Sequence, residues 1–207
     1  MIVAGLGIGL AWRKSSRRTA LPCPSWLGWM VELDNPFTRI NRAQSIVANL
    51  ELEAGMAVLD AGCGPGRLTL PLATAVGPQG EVLAVDVQSA MLERVRAKME
   101  AAGARNVQLL QAALGQGKLP PQRFDRAVLV TVLGEIPDQV AALREIHAAL
   151  KPGGILSVTE VIFDPHFQPR EAVRRAAEAA GFVETRCLGG RWAYTMHLQK
   201  LSSQHIP

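Results

Sequence analysis

The sequence contains little of what disulfide-stabilised, metal-binding or membrane-spanning proteins need. Its 207 residues include only three cysteines, Cys23, Cys63 and Cys187, with neither a CxxC pair nor a Cys/His cluster at zinc spacing. No apolar run reaches the roughly 18 residues that a membrane span requires. We therefore expect no disulfide framework and no metal site, and we expect a reducing, cytoplasmic setting.

The net charge of +4 comes from cations that are dispersed along the chain. Only Arg13, Lys14, Arg17 and Arg18 form a tight group, and the other basic stretches also carry acids. Binding to nucleic acid needs a clustered basic patch with contact residues. We therefore expect no nucleic-acid partner.

The first 45 residues differ in composition from the rest. Ile2 to Trp12 is an apolar run, a basic group follows it, and three of the four tryptophans lie in this segment. This order of charge and apolar residues does not fit a secretory signal. Two interpretations stay open: a peripheral membrane contact through residues 1–30, because tryptophan beside basic residues suits lipid headgroups, or a lid over a substrate site. We predict a leader with lid helices over residues 1–45 and one main domain over residues 46–207.

From Met56 onwards, short apolar runs alternate with helical patterns. Strands are predicted at 56–60, 81–86, 107–111, 124–130, 155–161, 183–188 and 192–198, and helices at 68–75, 89–102, 137–150 and 169–180. Gly189 and Gly190 separate the last two strands, which predicts an antiparallel hairpin. Strands that alternate with helices predict an α/β fold: a mostly parallel, Rossmann-like sheet with helices on both faces and a C-terminal antiparallel hairpin.

A glycine-rich turn follows the first strand. The run from Asp60 to Gly66 reads DAGCGPG, and ligands of open α/β sheets lie beside such turns at the carboxyl ends of the strands. A carboxylate at Asp60 repels a pyrophosphate and attracts an ammonium or sulfonium group. The dinucleotide fingerprint GxGxxG would need glycine where Arg67 stands. An oxidoreductase of the NAD type is therefore disfavoured, whereas Asp86, at the end of the second strand, suits the hydroxyls of a ribose.

Four segments together resemble the class I S-adenosylmethionine-dependent methyltransferases, closest in pattern to the ubiquinone/menaquinone-biosynthesis C-methyltransferases. They are VLDAGCGPGRLTLPLA, LAVDVQSAML, FDRAVLVTVLGEIP and ALKPGGILSVTE, and the resemblance covers residues 56 to about 161. It implies a seven-stranded sheet and S-adenosylmethionine as cofactor. It also makes residues 46–207 the cofactor-binding methyltransferase domain. Together with the tryptophan-rich leader, these motifs predict a small acceptor that is apolar or membrane-associated.

The resemblance also implies roles for individual residues. Asp60, Gly62, Gly64 and Gly66 would hold the methionine part of the cofactor, Asp86 the ribose, and Val87 the adenine. Cys63 lies inside the turn, where a small side chain suffices, and we do not interpret it as a nucleophile. In the family an acid usually follows the third strand, whereas this chain has Gln111, Ala112 and Ala113. We expect Gln111 or a backbone carbonyl beside Ala112 to contact the adenine instead.

Candidates for the acceptor side follow the fourth and fifth strands. They are Thr131, which would also border the cofactor, together with Glu135, Glu160, Asp164 and His166. Each has a structural alternative, such as a strand residue, a helix cap or a turn. Of these, His166, Glu135 and Glu160 are the candidate catalytic residues, and a histidine in a loop can carry a proton near neutral pH.

Two other histidines, His147 and His197, fall in helix and strand patterns, and we expect them to pack. The function predicted from the sequence is methyl transfer from S-adenosylmethionine to a small acceptor. A cofactor-binding scaffold without turnover is the main alternative, suggested by the missing acid after the third strand.

Overall fold

Short buried strands alternate with helices across residues 39–202, the part of the chain that the computed structural model describes. The strands are β1 (Ala57–Ala61), β2 (Glu81–Asp86), β3 (Val107–Gln111), β4 (Phe124–Val130), β5 (Leu150–Val161), β6 (Phe182–Gly190) and β7 (Ala193–Lys200). The α-helices are α1 (Ala43–Asn49), α2 (Thr69–Val76), α3 (Ser89–Ala102), α4 (Gln139–Ala149) and α5 (Arg170–Ala179). Short 3-10 helices form at Arg39–Asn41 and Leu133–Glu135.

The strands form one seven-stranded sheet in the order β3-β2-β1-β4-β5-β7-β6. The pairs among β1 to β5 are parallel, and β7 runs antiparallel to both β5 and β6. Every residue of β1 is buried, as expected for a central parallel strand that is covered on both faces. The predicted sheet, including its antiparallel C-terminal edge, is confirmed.

Helices cover both faces of the sheet, as predicted. On one face, α1, α2 and α3 contribute Ile46, Leu72 and Val95 to a buried apolar cluster. On the other face, α4 and α5 contribute Leu143 and Val173 to a second cluster. The chain order reverses between the neighbouring strands β1 and β4, and such a switch point opens the crevice in which α/β proteins bind ligands.

Several predicted boundaries differ from the structure by one or two residues, and two further differences have a structural cause. A helix stop was expected at residues 151–154 with the strand starting at Ile155, but β5 begins at Leu150. Leu150 pairs with Phe124 and Ile155 with Arg126, so the register shifts and the segment with Pro152 bulges within the strand. A bulge tolerates proline because the ladder hydrogen bond is interrupted there anyway.

The second correction concerns the hairpin. Gly189 and Gly190 were expected to form the turn, but they are the last residues of β6. The turn consists of Arg191 and Trp192, since Gly190 pairs with Ala193. At Gly189 a side chain would overlap the Ala193 carbonyl oxygen at 2.4 Å, so the strand requires glycine for close backbone approach.

The predicted leader lies almost wholly outside the described residues. The boundary drawn between residues 45 and 46 falls inside α1, where Ile46 is buried. Within residues 39–202, no helix has the length and apolarity needed to cross a bilayer.

Candidate cofactor and acceptor site

The glycine turn is held against the second strand by main-chain hydrogen bonds. The N–H groups of Gly62 and Cys63 donate to the carbonyl oxygen of Val85 at 2.8 and 2.9 Å. Gly62 has a φ of 72°, and a Cβ there would lie 2.6 Å from a methyl carbon of Val132. Gly64 has a φ of 51°, and a Cβ there would meet nothing within 4 Å. The turn therefore packs tightly at Gly62 and faces open space at Gly64.

Asp86 anchors the same turn from the end of β2. Its Oδ2 accepts the Gly64 N–H at 2.9 Å, and its Oδ1 accepts the Gln88 N–H at 2.8 Å. Burial raises the pKa of this carboxyl, although the two backbone N–H groups oppose that shift. The carboxylate thus stands fixed beside the open side of Gly64, where its remaining lone pairs suit sugar hydroxyls.

Asp60 lies at the start of the glycine turn, where the sequence predicted a carboxylate accessible to a ligand, but the structure buries it. Its side chain is 3% exposed, and its Oδ2 accepts a hydrogen bond from the Thr69 hydroxyl at 2.7 Å. Burial raises the pKa of Asp60 to about 6, while the Thr69 hydroxyl and the Arg67 charge lower it. A cation placed beside the turn would favour the charged form of this carboxyl.

The predicted adenine residues gather at the ends of β2 and β3. The Gln111 side-chain amide donates to the Val87 carbonyl oxygen at 3.2 Å, and the Ala112 N–H donates to the Asp86 carbonyl oxygen at 3.1 Å. Val87 is 49% exposed, unusually open for an apolar side chain next to a core strand. These residues therefore form one polar and apolar rim beside Asp86.

Cys63 is buried inside the turn. Burial next to the Asp60 and Asp86 carboxylates raises the pKa of its thiol, so it stays protonated. A protonated thiol is a poor nucleophile, and that Cys63 is not one stays a prediction.

Thr131 marks the end of β4 on the other side of the crevice. It has a φ of 55°, an uncommon conformation for a β-branched residue, and its N–H donates to the Thr159 carbonyl oxygen at 2.9 Å. Strain of this kind costs on the order of 1–3 kcal/mol and clusters at functional sites. The sequence gives no sign of it, because nothing in the run Val130-Thr131-Val132 suggests a left-handed residue.

The acceptor-side candidates come together around one buried imidazole. Nδ1 of His166 lies 3.6 Å from Oε1 of Glu135 and 3.9 Å from Oδ1 of Asp164. The His166 N–H also donates to Asp164 Oδ1 at 2.7 Å. The residue is 6% exposed, so this histidine is enclosed between two carboxylates from different loops.

Glu160 completes this group from the end of β5. It is 1% exposed, its Oε2 accepts the Gln168 N–H at 3.1 Å, and its Oε1 has no hydrogen-bond partner among the described residues. Burial raises the pKa of Glu160 to about 8, and the nearby charges of Asp164 and Glu135 raise it further. At neutral pH this carboxyl therefore holds its proton.

Three residues that support this cluster were missed by the sequence reasoning. The Tyr194 hydroxyl donates to the Gln168 carbonyl oxygen at 2.7 Å, and the Gln168 side-chain amide donates to the His166 carbonyl oxygen at 2.8 Å. Gly134 lies so close that a Cβ there would overlap the His166 carbonyl oxygen at 1.9 Å. Tyr194 reaches this cluster because it pairs with Glu160 across β5 and β7. The sequence alone does not reveal that pairing.

Arg67, which replaces the third glycine of the dinucleotide fingerprint, joins the turn to the start of the described chain. Its Nη1 donates to the Asn41 carbonyl oxygen at 2.6 Å and its Nη2 to Asn41 Oδ1 at 3.1 Å. His147 and His197 pack as predicted. His147 meets the Phe182 ring edge-on at 4.9 Å, and His197 is 6% exposed.

Comparison with known proteins gives a consistent family. Residues 58–154 match the family described as "Methyltransferase domain". The chain is 34% identical over 112 residues to the demethylmenaquinone methyltransferase of Geobacillus stearothermophilus, covering 54% of this chain and 48% of that protein. It is 34% identical over 128 residues to the ubiquinone/menaquinone biosynthesis C-methyltransferase UbiE of Coxiella burnetii, covering 61% and 51%. The matched region thus spans about half the length of these relatives.

Solved structures share the fold. A SAM-dependent methyltransferase from Aquifex aeolicus superimposes with a TM-score of 0.77 at 22% identity, covering 87% of this chain and all of that one. The [4+2]-cyclase SpnF does so with a TM-score of 0.70 at 17% identity, covering 88% and 98%. The matched domain and the sequence relatives agree with the glycine turn and its two acids: residues 58–154 carry a methyltransferase domain of the class I S-adenosylmethionine-dependent type.

Proposed function

We propose that this chain transfers a methyl group from S-adenosylmethionine to a small-molecule acceptor that carries an ionisable hydroxyl on an aromatic ring. The observation that carries the proposal is the position of the buried His166 between the Glu135 and Asp164 carboxylates. The loops that carry these residues follow β4 and β5, so they lie at the carboxyl ends of the parallel strands, as the glycine turn after β1 does. One edge therefore offers both a cofactor cradle and a proton acceptor.

The cofactor half of the site suits the proposed ligand. Asp60 and the turn glycines would hold the methionine part, Asp86 the ribose, and the rim of Val87, Gln111 and Ala112 the adenine. The open space at Gly64 and the buried acid at Asp60 support this assignment, since the Asp60 carboxylate would attract the ammonium group of the cofactor. When bound, S-adenosylmethionine supplies an electrophilic methyl group on a positively charged sulfur, so the protein needs no covalent nucleophile.

In the acceptor half, His166 would take the proton from the acceptor hydroxyl. Glu135 and Asp164 would stabilise the imidazolium that results, because both carboxylates lie within 4 Å of Nδ1. Glu160, which holds its own proton at neutral pH, would keep the pocket from becoming too negative for a phenolate. Gly134 and Gln168 position the histidine loop.

The acceptor class follows from this chemistry and from the relatives. A hydroxyl that loses its proton makes the neighbouring carbons of its ring more nucleophilic, as methyl transfer to carbon requires. One relative is named a demethylmenaquinone methyltransferase, and another a ubiquinone/menaquinone biosynthesis C-methyltransferase. A hydroquinone is therefore the acceptor we would try first.

Residues 1–45 are part of the proposal as a lid over this site. Support comes from Asn41, whose carbonyl oxygen accepts a hydrogen bond from Arg67 of the cofactor turn, and from Ile40, which lies against Gly189 near the end of β6. A peripheral membrane contact through residues 1–30 is compatible with such a lid, because an apolar acceptor would be delivered from the bilayer.

The test combines binding with turnover. Calorimetry with S-adenosylhomocysteine measures the cofactor half, and transfer of a radiolabelled methyl group to a reduced short-chain demethylmenaquinone measures the whole site. We expect His166→Gln to lower kcat by about 100-fold or more while leaving cofactor affinity unchanged. The matched control is His147→Gln, a packing histidine outside the cluster.

Different failures have different meanings. Lack of S-adenosylhomocysteine affinity would remove the cofactor assignment. Full turnover in His166→Gln would remove the proposed base. Tight binding without transfer to any phenolic or quinol acceptor would favour the scaffold interpretation.

A further inference from the structure

Two large apolar side chains are exposed at one corner of the sheet. Phe163 is 62% exposed and Trp192 is 54% exposed. The Ile162 N–H donates to the Trp192 carbonyl oxygen at 2.7 Å, so the loop after β5 and the β6–β7 turn lie side by side. Single exposed apolar residues are ordinary, but two exposed aromatic residues in adjacent loops suggest a contact surface.

One arginine lies on the Trp192 ring, and two others lie near the same corner. The Arg191 guanidinium carbon lies 4.3 Å from the centroid of the Trp192 ring. Arg170 donates from Nη2 to the Gly189 carbonyl oxygen at 2.7 Å. Gly189 also lies against Ile40, which brings the exposed Arg39 to the same corner.

We infer that this corner, formed by Phe163, Trp192, Arg39, Arg170 and Arg191 and here named the aromatic–arginine surface, binds the interfacial region of an anionic lipid bilayer. Amphipathic rings settle at the level of lipid headgroups, and each arginine near an anionic leaflet gains favourable electrostatic energy. Asp164, which follows Phe163 in sequence, has an Oδ1 that lies 3.9 Å from His166 Nδ1 and a side chain that is only 18% exposed. Glu171, which follows Arg170, is exposed but paired with Arg174.

The chain that precedes Arg39 has the same chemistry. It carries Trp12, Trp26 and Trp29 together with the basic group at residues 13–18. That segment is attached to Arg39, which belongs to the aromatic–arginine surface. This continuity favours a lipid surface over an unrelated protein partner.

The surface also borders the acceptor cluster. Phe163 is adjacent in sequence to Asp164 and lies three residues after Glu160. An apolar acceptor dissolved in the bilayer would therefore approach the protein on the side of the His166 loop. This consequence depends on the proposed function, whereas binding to the bilayer does not.

The experiment follows Trp192 alone in the full-length chain. In the variant W12F/W26F/W29F, Trp192 is the only tryptophan. Its fluorescence is measured with vesicles of phosphatidylcholine and phosphatidylglycerol whose acyl chains are brominated near the headgroup. We expect strong quenching at low salt and weaker quenching at high salt, because screening weakens the arginine contacts.

A displaced tryptophan provides the matched control. Val183 is 43% exposed but lies at the start of β6, away from the β6–β7 turn. The variant W12F/W26F/W29F/W192F/V183W should sediment with the same vesicles without quenching. In the otherwise natural chain, F163S/W192S should lower the vesicle partition coefficient by about tenfold, and V183S by less than about twofold.

Three results would overturn the inference. The first is that the protein sediments with vesicles while Trp192 stays unquenched, which would assign binding to the leader alone. The second is that the protein does not sediment with anionic vesicles at low salt. The third is that Trp192 becomes protected without lipid as the protein concentration rises, which sedimentation analysis would identify as contact with a second copy. None of these depends on methyl transfer, so failure here is distinguishable from failure of the proposed function.

Discussion

The two halves of the site are built from different parts of the chain. In the cofactor half, the contacts are made largely by backbone N–H groups of Gly62, Cys63, Gly64 and Ala112. In the acceptor half, they are made by side chains of His166 and its carboxylate neighbours. The match to the methyltransferase domain covers residues 58–154 and so ends before Glu160. The matched region therefore contains the glycine turn and Glu135, whereas Glu160, Asp164 and His166 of the proposed acceptor half lie outside it.

The fold comparison supports the same distinction. A SAM-dependent methyltransferase and a [4+2]-cyclase both superimpose on this chain with TM-scores of 0.70 or above. The same architecture thus hosts different reactions, as fold-level rules lead one to expect. The fold therefore does not decide the reaction, and our proposal assigns that choice to the residues around His166.

The largest loss of cofactor affinity is expected at Gly62, where the glycine turn contacts Val132 in the segment that follows β4. In Gly62→Ala, the new Cβ would lie 2.6 Å from a Val132 methyl carbon at a φ of 72°. We expect S-adenosylhomocysteine affinity to fall by about 100-fold and the free energy of unfolding by about 2–4 kcal/mol. Calorimetry and urea denaturation measure the two effects.

Gly55→Ala is the matched control for backbone strain. Gly55 has a φ of 87°, but a Cβ there meets nothing within 4 Å. It should cost only about 1–2 kcal/mol and leave cofactor affinity unchanged. Adding Val132→Ala to Gly62→Ala should recover part of the lost affinity. If the two glycine variants behave alike, the contact between the halves does not matter.

The next effect tests whether Asp60 serves the methionine end of the cofactor. Burial raises the pKa of this carboxyl to about 6, so it is largely protonated below that pH. A bound ammonium favours the charged form, so S-adenosylhomocysteine affinity should fall as the pH drops below 6, by at most about tenfold per pH unit. Asp60→Asn should bind more weakly at pH 7.5 and lose this dependence.

Adenosine is the control ligand, because it lacks the ammonium but still occupies the Asp86 side. The pKa of Asp86 is also raised by burial, so adenosine reports any contribution from that acid. The difference between the two ligands isolates Asp60. Identical pH profiles for both ligands would assign the effect to the ribose end.

The sequence predicted the cofactor half better than the acceptor half for a physical reason. A strand, a glycine turn and an acid at fixed spacing are local patterns, and β2, α3, β3 and β4 have the predicted bounds. The support of His166 by Gly134 and Tyr194 joins residues far apart in the chain, and no local pattern reports such contacts. The β5 bulge was missed because Pro152 and two glycines also end helices, and only the pairing with β4 decides between the two.

The smallest expected effect is on the pH dependence of the free energy of unfolding, which reports how far water is excluded from Glu160. Burial raises the pKa of Glu160 to about 8, well above the ordinary value of 4.5. The folded chain therefore holds this proton more tightly than the unfolded chain does. The corresponding stability is fully present below about pH 4.5 and is lost as the pH rises to 8, with no further loss above that.

Glu160→Gln removes this ionisation and can still accept the Gln168 N–H through its amide oxygen. Its free energy of unfolding should match that of the natural chain near pH 5 and exceed it by about 1–3 kcal/mol at pH 8, measured by urea denaturation. Glu160→Ala, which leaves the Gln168 N–H without its acceptor, should be less stable even at pH 5. A difference between Glu160→Gln and the natural chain that stays constant with pH would mean that water reaches this carboxyl. The acceptor half would then be open to solvent, as the rim beside Val87 is. Glu160 would be ionised at neutral pH instead of holding a proton beside His166.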